Sequence, residues 1–445
     1  MLDDRVFRTV TAYAAGDFEY VRSTDLIGRL IAKGLLVPEV RVKPDVLGES
    51  AVGASYVLEH PRLPFISYPY EWSFSALKAA ALLQLDIQLL ALENDVTLAD
   101  ASAYNIQFQG TRPVFIDTLS FEEYRDGSPW VGYRQFCQHF LAPLTLIAYV
   151  DKRLAMLLRT NIDGIPLDLA ARMLPAHTKL RPTLLMHLHL HAWSQVRNAA
   201  KVAAANSSRS SRRSMSRLGL RGLLDSLRSA VEGISWRPKG DWANYYSATN
   251  YTTEAFSSKE KLVAEFIDAA RPTSVWDLGA NTGAFSRIAA GKSIPTVAID
   301  FDAAAVEVNF QQCLTGGPAS LLPLVCDLTN PSPGIGWANE ERQSLEERGP
   351  ADLIMALALV HHIAIANNVP LGRVADYFGR LGRHLLIEFV PKGDSQVDRM
   401  LRTREDIFEQ YHVEAFERAF ESVFSIEKRG RVEGSQRALY LMRRR

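Results

Sequence analysis

Ser274-Val-Trp-Asp-Leu-Gly-Ala-Asn-Thr-Gly-Ala-Phe-Ser286 is a short apolar run that ends in an acid, turns through two glycines and then becomes helical. Val275 and Trp276 suit a buried strand and Asp277 closes it. Gly279 and Gly283 permit a tight turn and the close approach of a ligand, and a helix can begin at Ala284. A helix N-terminus presents unpaired N–H groups, so the turn reads as a cofactor-binding loop. Glycines needed only for the shape of a strand-to-helix turn would give the same local pattern, and the flanking sequence decides between the two readings.

From Lys261 onward the pattern alternates regularly: a helix to Ala270, strand 274–278, helix 284–291, strand 296–300, helix 303–312, then strands 321–326, 352–359 and 385–390. That spacing predicts a parallel sheet wound with helices on both faces. Ligands of such sheets lie at the carboxyl ends of the strands. Acids stand there in turn: Asp277 after the first strand, Asp300 after the second, Asp327 after the third. An acid after the second strand can accept both hydroxyls of a ribose. Asp302 is placed to cap the helix that follows it. The spacing Gly279-Ala-Asn-Thr-Gly283 departs from Gly-x-Gly-x-x-Gly and disfavours a nicotinamide site.

On these residues the region from about 240 to 445 resembles the class I S-adenosylmethionine-dependent methyltransferases. The resemblance implies a Rossmann-like α/β sheet closed by an antiparallel hairpin, here expected over 422–432 and 437–442. It implies S-adenosyl-L-methionine as cofactor, with Asp277, Gly279, Asn281 and Gly283 around its methionine moiety, Asp300 at the ribose and Asp327 at the adenine amino group. Asn281 stands where many members carry a third glycine. The fourth strand runs Asp352-Leu-Ile-Met-Ala-Leu-Ala-Leu-Val-His-His-Ile363 and is expected to end in paired histidines at the catalytic edge. The cofactor's sulfonium is already a good leaving group, so alignment of the acceptor does most of the work. A hydroxyl or protonated amine acceptor also needs a base, for which His361 or His362 is the first choice, with Glu388 behind them. A histidine that only hydrogen-bonds a strand end is the plainer alternative.

The N-terminal half reads as mixed α+β and largely helical. Residues 1–70 combine short apolar runs with turn formers, and Ser75 to Glu93 is a buried helix rich in Ala, Leu and Gln. Two apolar runs flanking Gln109-Gly-Thr-Arg112 predict a hairpin, with Asp100 and Asn105 before it and Asp117 at its end. Asp, four residues, Asn, then a hairpin ending in Asp resembles the catalytic loop of protein-kinase-like and aminoglycoside-phosphotransferase-like folds. The resemblance implies Asp100 as base and Asn105 and Asp117 as magnesium ligands. Thr118-Leu119 replaces Phe-Gly, and neither a glycine-rich loop nor an assignable strand lysine is found upstream. Turn capping by the same three residues is the alternative. In Met186-His-Leu-His-Leu-His-Ala-Trp193 three histidines alternate. They would share one face of a strand and could hold zinc, or point outward from an amphipathic segment, which is the reading preferred here.

Asn206 to Arg217 is rich in Ser and Arg and reads as an exposed linker. Leu220, Leu223, Leu224, Leu227 and Val231 then recur at helical spacing, predicting a helix that packs on the following domain. Trp236, Trp242, Tyr245, Tyr246 and Tyr251 at the entrance of that domain suit either a ligand cover or a packed one. The expected domains are therefore 1–200, a linker and helix over 201–235, and 236–445.

The 445 residues carry 50 basic and 50 acidic side chains, so global charge gives no nucleic-acid footprint, and a small-molecule acceptor is expected. Three unpaired cysteines fit a reducing, cytoplasmic setting, and Gln84 and Asp86 interrupt the longest apolar run, so no membrane span is expected. A phosphotransferase built on Asp100, Asn105 and Asp117, or a scaffold that binds cofactor without catalysis, are the alternatives to a methyltransferase.

Overall fold

A computed structural model describes residues 5–194, 214–238, 253–402 and 405–445. By contact density the chain divides into two compact units, Met1–Phe108 with Arg112–Arg237, and Gln109–Thr111 with Pro238–Arg445.

The first unit begins with an antiparallel sheet in the order β1-β3-β2, from β1 (Val6–Thr11), β2 (Val40–Val42) and β3 (Ala54–His60). The predicted helix spans Phe74–Leu92, and the Ser73 hydroxyl caps it by accepting from the Ala76 N–H at 3.3 Å. β4 (Val96–Leu98) pairs with β7 (Phe121–Glu123), and between them β5 (Ile106–Gln109) and β6 (Arg112–Phe115) form the expected hairpin. Among the described residues Phe74–Leu92 is the one helix long and apolar enough to cross a membrane, but 61% of that stretch is buried inside the protein. The polar residues in it serve the fold. Gln88 accepts from the Leu98 N–H at 2.7 Å and donates to the Thr97 hydroxyl at 3.0 Å, while Gln84 donates to the Asp100 carbonyl at 3.2 Å.

The helix predicted from the leucine spacing runs Arg217–Gly233, but it packs within the first unit, against Phe74–Leu92. Lys78 donates to the carbonyls of Glu232 and Ile234, each at 2.8 Å, and Arg228 pairs with Asp86. The periodicity gave the buried face correctly. The partner was set by a lysine and an acid more than a hundred residues upstream. Arg209, Arg212 and Arg213 of the expected linker, and Trp242, Tyr245, Tyr246 and Tyr251, lie outside the described residues.

The second unit is built on one seven-stranded sheet, formed by β8 (Val275–Leu278), β9 (Thr296–Asp300), β10 (Leu321–Val325), β11 (Ala351–Ala356), β12 (Gly382–Phe389), β13 (Phe424–Arg431) and β14 (Ala438–Arg444). Their order is β10-β9-β8-β11-β12-β14-β13. The first five are parallel, and β14 and β13 close the edge antiparallel. The chain steps outward from β8 in one direction and restarts at β11 in the other, so a crevice opens at the carboxyl ends between β8 and β11. Val263, Phe266 and Ile267, one stripe of the Thr253–Ala270 helix, pack on Val275, Leu353, Met355, Leu386 and Leu441 and hold one face of the sheet.

Candidate functional site

The turn after β8 has the conformation its glycines suggest. Gly279 and Gly283 have φ of 75° and 77°. A Cβ on Gly283 would stand 2.4 Å from the Asn309 carboxamide, which Arg287 holds at 2.8 Å, and one on Gly279 would stand 3.1 Å from Leu359. Asn281 has φ of 50°, which explains why asparagine serves where a glycine could stand: it tolerates the left-handed region better than other side chains.

Asp277 and Asp300 tie this turn to the sheet. Asp277 is buried and accepts from the Ser286 hydroxyl at 2.5 Å. Burial lifts its carboxyl to about 7. Asp300 accepts the Asn281 N–H on one oxygen and the Asp302 N–H on the other, both at 2.8 Å, and burial lifts it to about 6. The Phe301 N–H also bonds this carboxylate, which as an anion still has acceptor capacity left for a ligand. Asp302 caps the Ala303–Leu314 helix by accepting from the Ala304 N–H at 3.0 Å. Asp327 is exposed and accepts from both the N–H and the hydroxyl of Thr329, at 2.8 and 2.7 Å.

Asp277, Gly279, Asn281, Asp300, Asp327 and His362 line one cavity of about 420 Å³, within the range of small-molecule sites. Three other expected residues do not line it. Gly283 faces Asn309, His361 is fully buried, and Glu388 lies behind the wall. The histidine pair does not end a strand: β11 stops at Ala356, Ala358 turns the chain at φ 51°, and a π-helical turn runs His362–Ala366. The unbroken apolar sequence concealed that turn. The two imidazoles sit 4.3 Å apart, centroid to centroid. Burial, with His362 beside it, holds His361 well below the usual imidazole range, and burial lowers His362 as well.

The same cavity is lined by Lys259, Phe285 and Phe301, which the sequence reading did not assign to it. Lys259 lies on the Thr253–Ala270 helix with its ammonium 4.4 Å from the centre of the Phe285 ring. It is buried and bonded to Glu388 at 2.6 Å. Arg437 flanks the same carboxylate at 3.6 Å and is itself held by Asp394 at 2.7 and 3.0 Å. Glu388 therefore fixes a cation on the cavity wall instead of meeting a ligand. A lysine at a core-facing helical position was the available signal for Lys259, and Phe301 stands immediately after Asp300 with its ring exposed.

In the first unit two of the three oxygen-bearing residues, Asp100 and Asp117, serve local structure. Asp100 accepts from the Ser102 N–H at 2.8 Å, and Asp117 is paired with Arg8 and accepts from the Leu119 N–H at 3.2 Å. The Asn105 carboxamide nitrogen is buried without a hydrogen-bond partner among the described residues. The alternating histidines lie on a π-helical turn, Leu185–Leu190, continued by His191, and contrary to expectation two of them point inward. His187 contacts the hydroxyls of Tyr133 and Ser226 at 2.8 and 2.9 Å, and His189 contacts that of Thr178 at 2.9 Å. These hydroxyls make the burial of imidazole tolerable. No group of three or more His, Cys, Asp or Glu among the described residues could hold a metal ion.

No protein-family model matches the chain. Over 444 residues, 99% of this chain and 92% of the relative, it is 37% identical to the nodulation protein NoeA of Rhizobium meliloti (strain 1021). Among solved structures, the N-methyltransferase NodS from Bradyrhizobium japonicum WM9 is 12% identical, over 43% of this chain and 97% of that one, with a TM-score of 0.31. The magnesium protoporphyrin IX methyltransferase ChlM from Synechocystis PCC 6803 is 17% identical over 46% and 93%, with a TM-score of 0.32. The bifunctional kinase-methyltransferase WbdD is 16% identical over 45% of this chain, a match that spans 42% of that protein, with a TM-score of 0.31.

Proposed function

We infer that this chain, which belongs to the family of the nodulation protein NoeA, is an S-adenosylmethionine-dependent methyltransferase acting on a small-molecule acceptor. One observation carries the reading: acids at the ends of three successive parallel strands, β8, β9 and β10, line a single cavity together with a left-handed glycine turn.

The residues present fit the cofactor. Asp277 and Lys259, which line the cavity with Gly279, offer an acid and a cation to the amino and carboxylate groups of a methionine moiety. Asp300, its two oxygens each holding one loop N–H, retains acceptor capacity for the hydroxyls of a ribose. Asp327 can accept from an adenine amino group, and exposed Phe301 offers that base an aromatic face. Bound there, the cofactor supplies an electrophilic methyl carbon on a sulfonium leaving group. The protein's part is to align the acceptor and to take its proton where it carries one. His362 suits the second task. It lies on the cavity wall, burial keeps its imidazole neutral near pH 7, and no other described side chain hydrogen-bonds that ring. The His361 ring packs against it. Glu388, with Arg437, holds Lys259 in place.

The neutral charge balance supports a small acceptor over a nucleic acid, and the three cysteines, free and buried, suit a reducing cytoplasm. The N-terminal unit is read as a kinase-like relic whose metal-binding acid is now held by Arg8.

Titration calorimetry on the full chain tests the reading. S-adenosylmethionine should bind, and Asp300→Ala should abolish binding while the variant still melts cooperatively. A folded wild-type chain that binds none would sink the proposal. With labelled cofactor and small-molecule extracts, mass spectrometry of the labelled products would then identify the acceptor.

A further inference from the structure

The turn after β8 is fastened unevenly. Its first half is held through the backbone: the Gly279 and Ala280 N–H groups both donate to the Ile299 carbonyl, at 2.8 and 3.0 Å, and the Asn281 N–H donates to Asp300 at 2.8 Å. Its second half returns through Thr282 and Gly283, and Gly279, Asn281 and Gly283 all sit in the left-handed region. A glycine has many other conformations open to it, so a contact from outside the turn has to select this one.

Arg287 supplies that contact. It stands four residues beyond Gly283, on the Ser286–Gly291 helix, with its side chain half-buried. Its guanidinium donates to the Thr282 carbonyl at 2.6 Å, to the Asn309 carboxamide oxygen at 2.8 Å and to the Gln312 carboxamide oxygen at 2.6 Å. Asn309 and Gln312 belong to the Ala303–Leu314 helix. Asn309 is fully buried, and its carboxamide occupies the space into which a side chain on Gly283 would have to go. One cation thus ties the returning half of the turn to the helix after β9. All three acceptors are uncharged, so what the guanidinium contributes here is its planar fork, which reaches diverging oxygens at once. Arg287 itself does not line the cavity.

We propose that Arg287 is a positioning residue for the amino-acid end of the cofactor: by clamping the Thr282 carbonyl to Asn309 and Gln312, it keeps the Gly279–Gly283 turn in its binding shape before a ligand arrives. This role rests on the methyltransferase reading and goes beyond it, since a residue outside the cavity then sets affinity for one end of the ligand. The adenosine end does not depend on the clamp. Asp300 keeps the Asp302 and Phe301 N–H groups, and Asp327 keeps Thr329, whatever the turn does.

S-adenosylhomocysteine and 5′-methylthioadenosine, which lacks the amino-acid end, test this by titration calorimetry on the full chain. In Arg287→Met, a turn whose binding-competent fraction drops to about a tenth should weaken S-adenosylhomocysteine about tenfold, while 5′-methylthioadenosine stays within about twofold. Arg287→Lys should recover part of the loss, because one donor on a flexible stem can still reach the Thr282 carbonyl. Gln312→Ala removes an exposed acceptor without touching the core and should weaken S-adenosylhomocysteine about threefold, the worth of one partly exposed hydrogen bond. The two ligands are compared in the same sample, so a loss of folded protein would lower both alike and cannot imitate the expected contrast. Equal weakening of both ligands by Arg287→Met, or undiminished binding of S-adenosylhomocysteine, overturns the role of Arg287 alone. A folded parent chain that binds neither ligand overturns the methyltransferase reading and this role with it.

Discussion

Glu388→Leu is the substitution that best separates support of the site from chemistry in it. Glu388 is fully buried, its carboxylate 2.6 Å from the Lys259 ammonium and 3.6 Å from the Arg437 guanidinium. Removing it leaves Arg437 with Asp394 but strands Lys259, only 2% exposed, without its bonded carboxylate. Breaking a buried pair by deleting one partner costs about 3–5 kcal/mol. For a unit of this size each kcal/mol moves the melting temperature by roughly 2–4 °C, so the C-terminal unit should melt on the order of 10 °C lower. Adding Lys259→Met should recover most of that loss, since exchanging a whole buried pair for apolar groups of similar volume is close to neutral. Scanning calorimetry measures the shifts, and hydrogen exchange of the β8 and β12 amides assigns the transition to the right unit. The double variant should still lack S-adenosylmethionine affinity, because Lys259 itself lines the cavity. If Glu388→Leu melts within about 2 °C of the parent, or if the double variant is no better than the single, the pair does not hold the wall and the reasoning fails.

The two raised carboxyls set a pH dependence. Burial raises Asp277 and Asp300 to about 7 and about 6 in the fold, against the ordinary value of 3.8 for an aspartate. Between roughly pH 4 and 7 the native chain thus keeps protons that the unfolded chain has lost, and their contribution to stability falls as pH rises through that window. Cofactor binding that needs the anions should run the other way, weakening below pH 7 and releasing protons, which calorimetry in buffers of different ionisation enthalpy would detect; pH-independent binding would refute it. Gly283→Ala meets both a left-handed φ and the Asn309 carboxamide and should cost about 1–3 kcal/mol and most of the cofactor affinity, whereas Asn281→Gly should melt within about 2 °C of the parent. His187→Ala leaves the Tyr133 and Ser226 hydroxyls facing a void and should destabilise the N-terminal unit by about 1–3 kcal/mol, while added zinc should leave the parent's melting unchanged.

The parts of the site that local sequence specifies are the parts that could be read from it. Strand and helix periods switch at fixed points between 261 and 327, and an acid ends each of the first three strands, so Asp277, Asp300 and Asp327 fell into place without knowledge of the fold. β9 was expected at 296–300 and is found there, because Asp300 and Asp302 mark both the end of the strand and the start of the helix. The histidine pair was misplaced for the opposite reason. From Leu353 to Val360 nothing interrupts the apolar run, and the left-handed turn at Ala358 is made by a residue with no preference for it. A strand and a buried helix look alike in such a stretch.

Contacts between distant residues left no periodic trace at all. Lys259 and Glu388 are 129 positions apart; Glu388 is an isolated charge in an apolar run, whereas Lys259 lies in the polar stretch Ser257-Ser-Lys-Glu-Lys261. Each alone would be costly to bury, and together they explain one another: the acid assigned to catalysis becomes the reason a helix near the start of the domain can carry a cation into the cavity. Arg228 and Asp86, only partly buried, likewise tie a helix expected to serve the C-terminal domain to the N-terminal one. A buried charge without a neighbour in sequence is therefore a statement about an unseen partner. In this chain such partners decide which of the charged residues near the site face the ligand: Asp277 and Lys259 line the cavity, and Glu388, for all its proximity, does not.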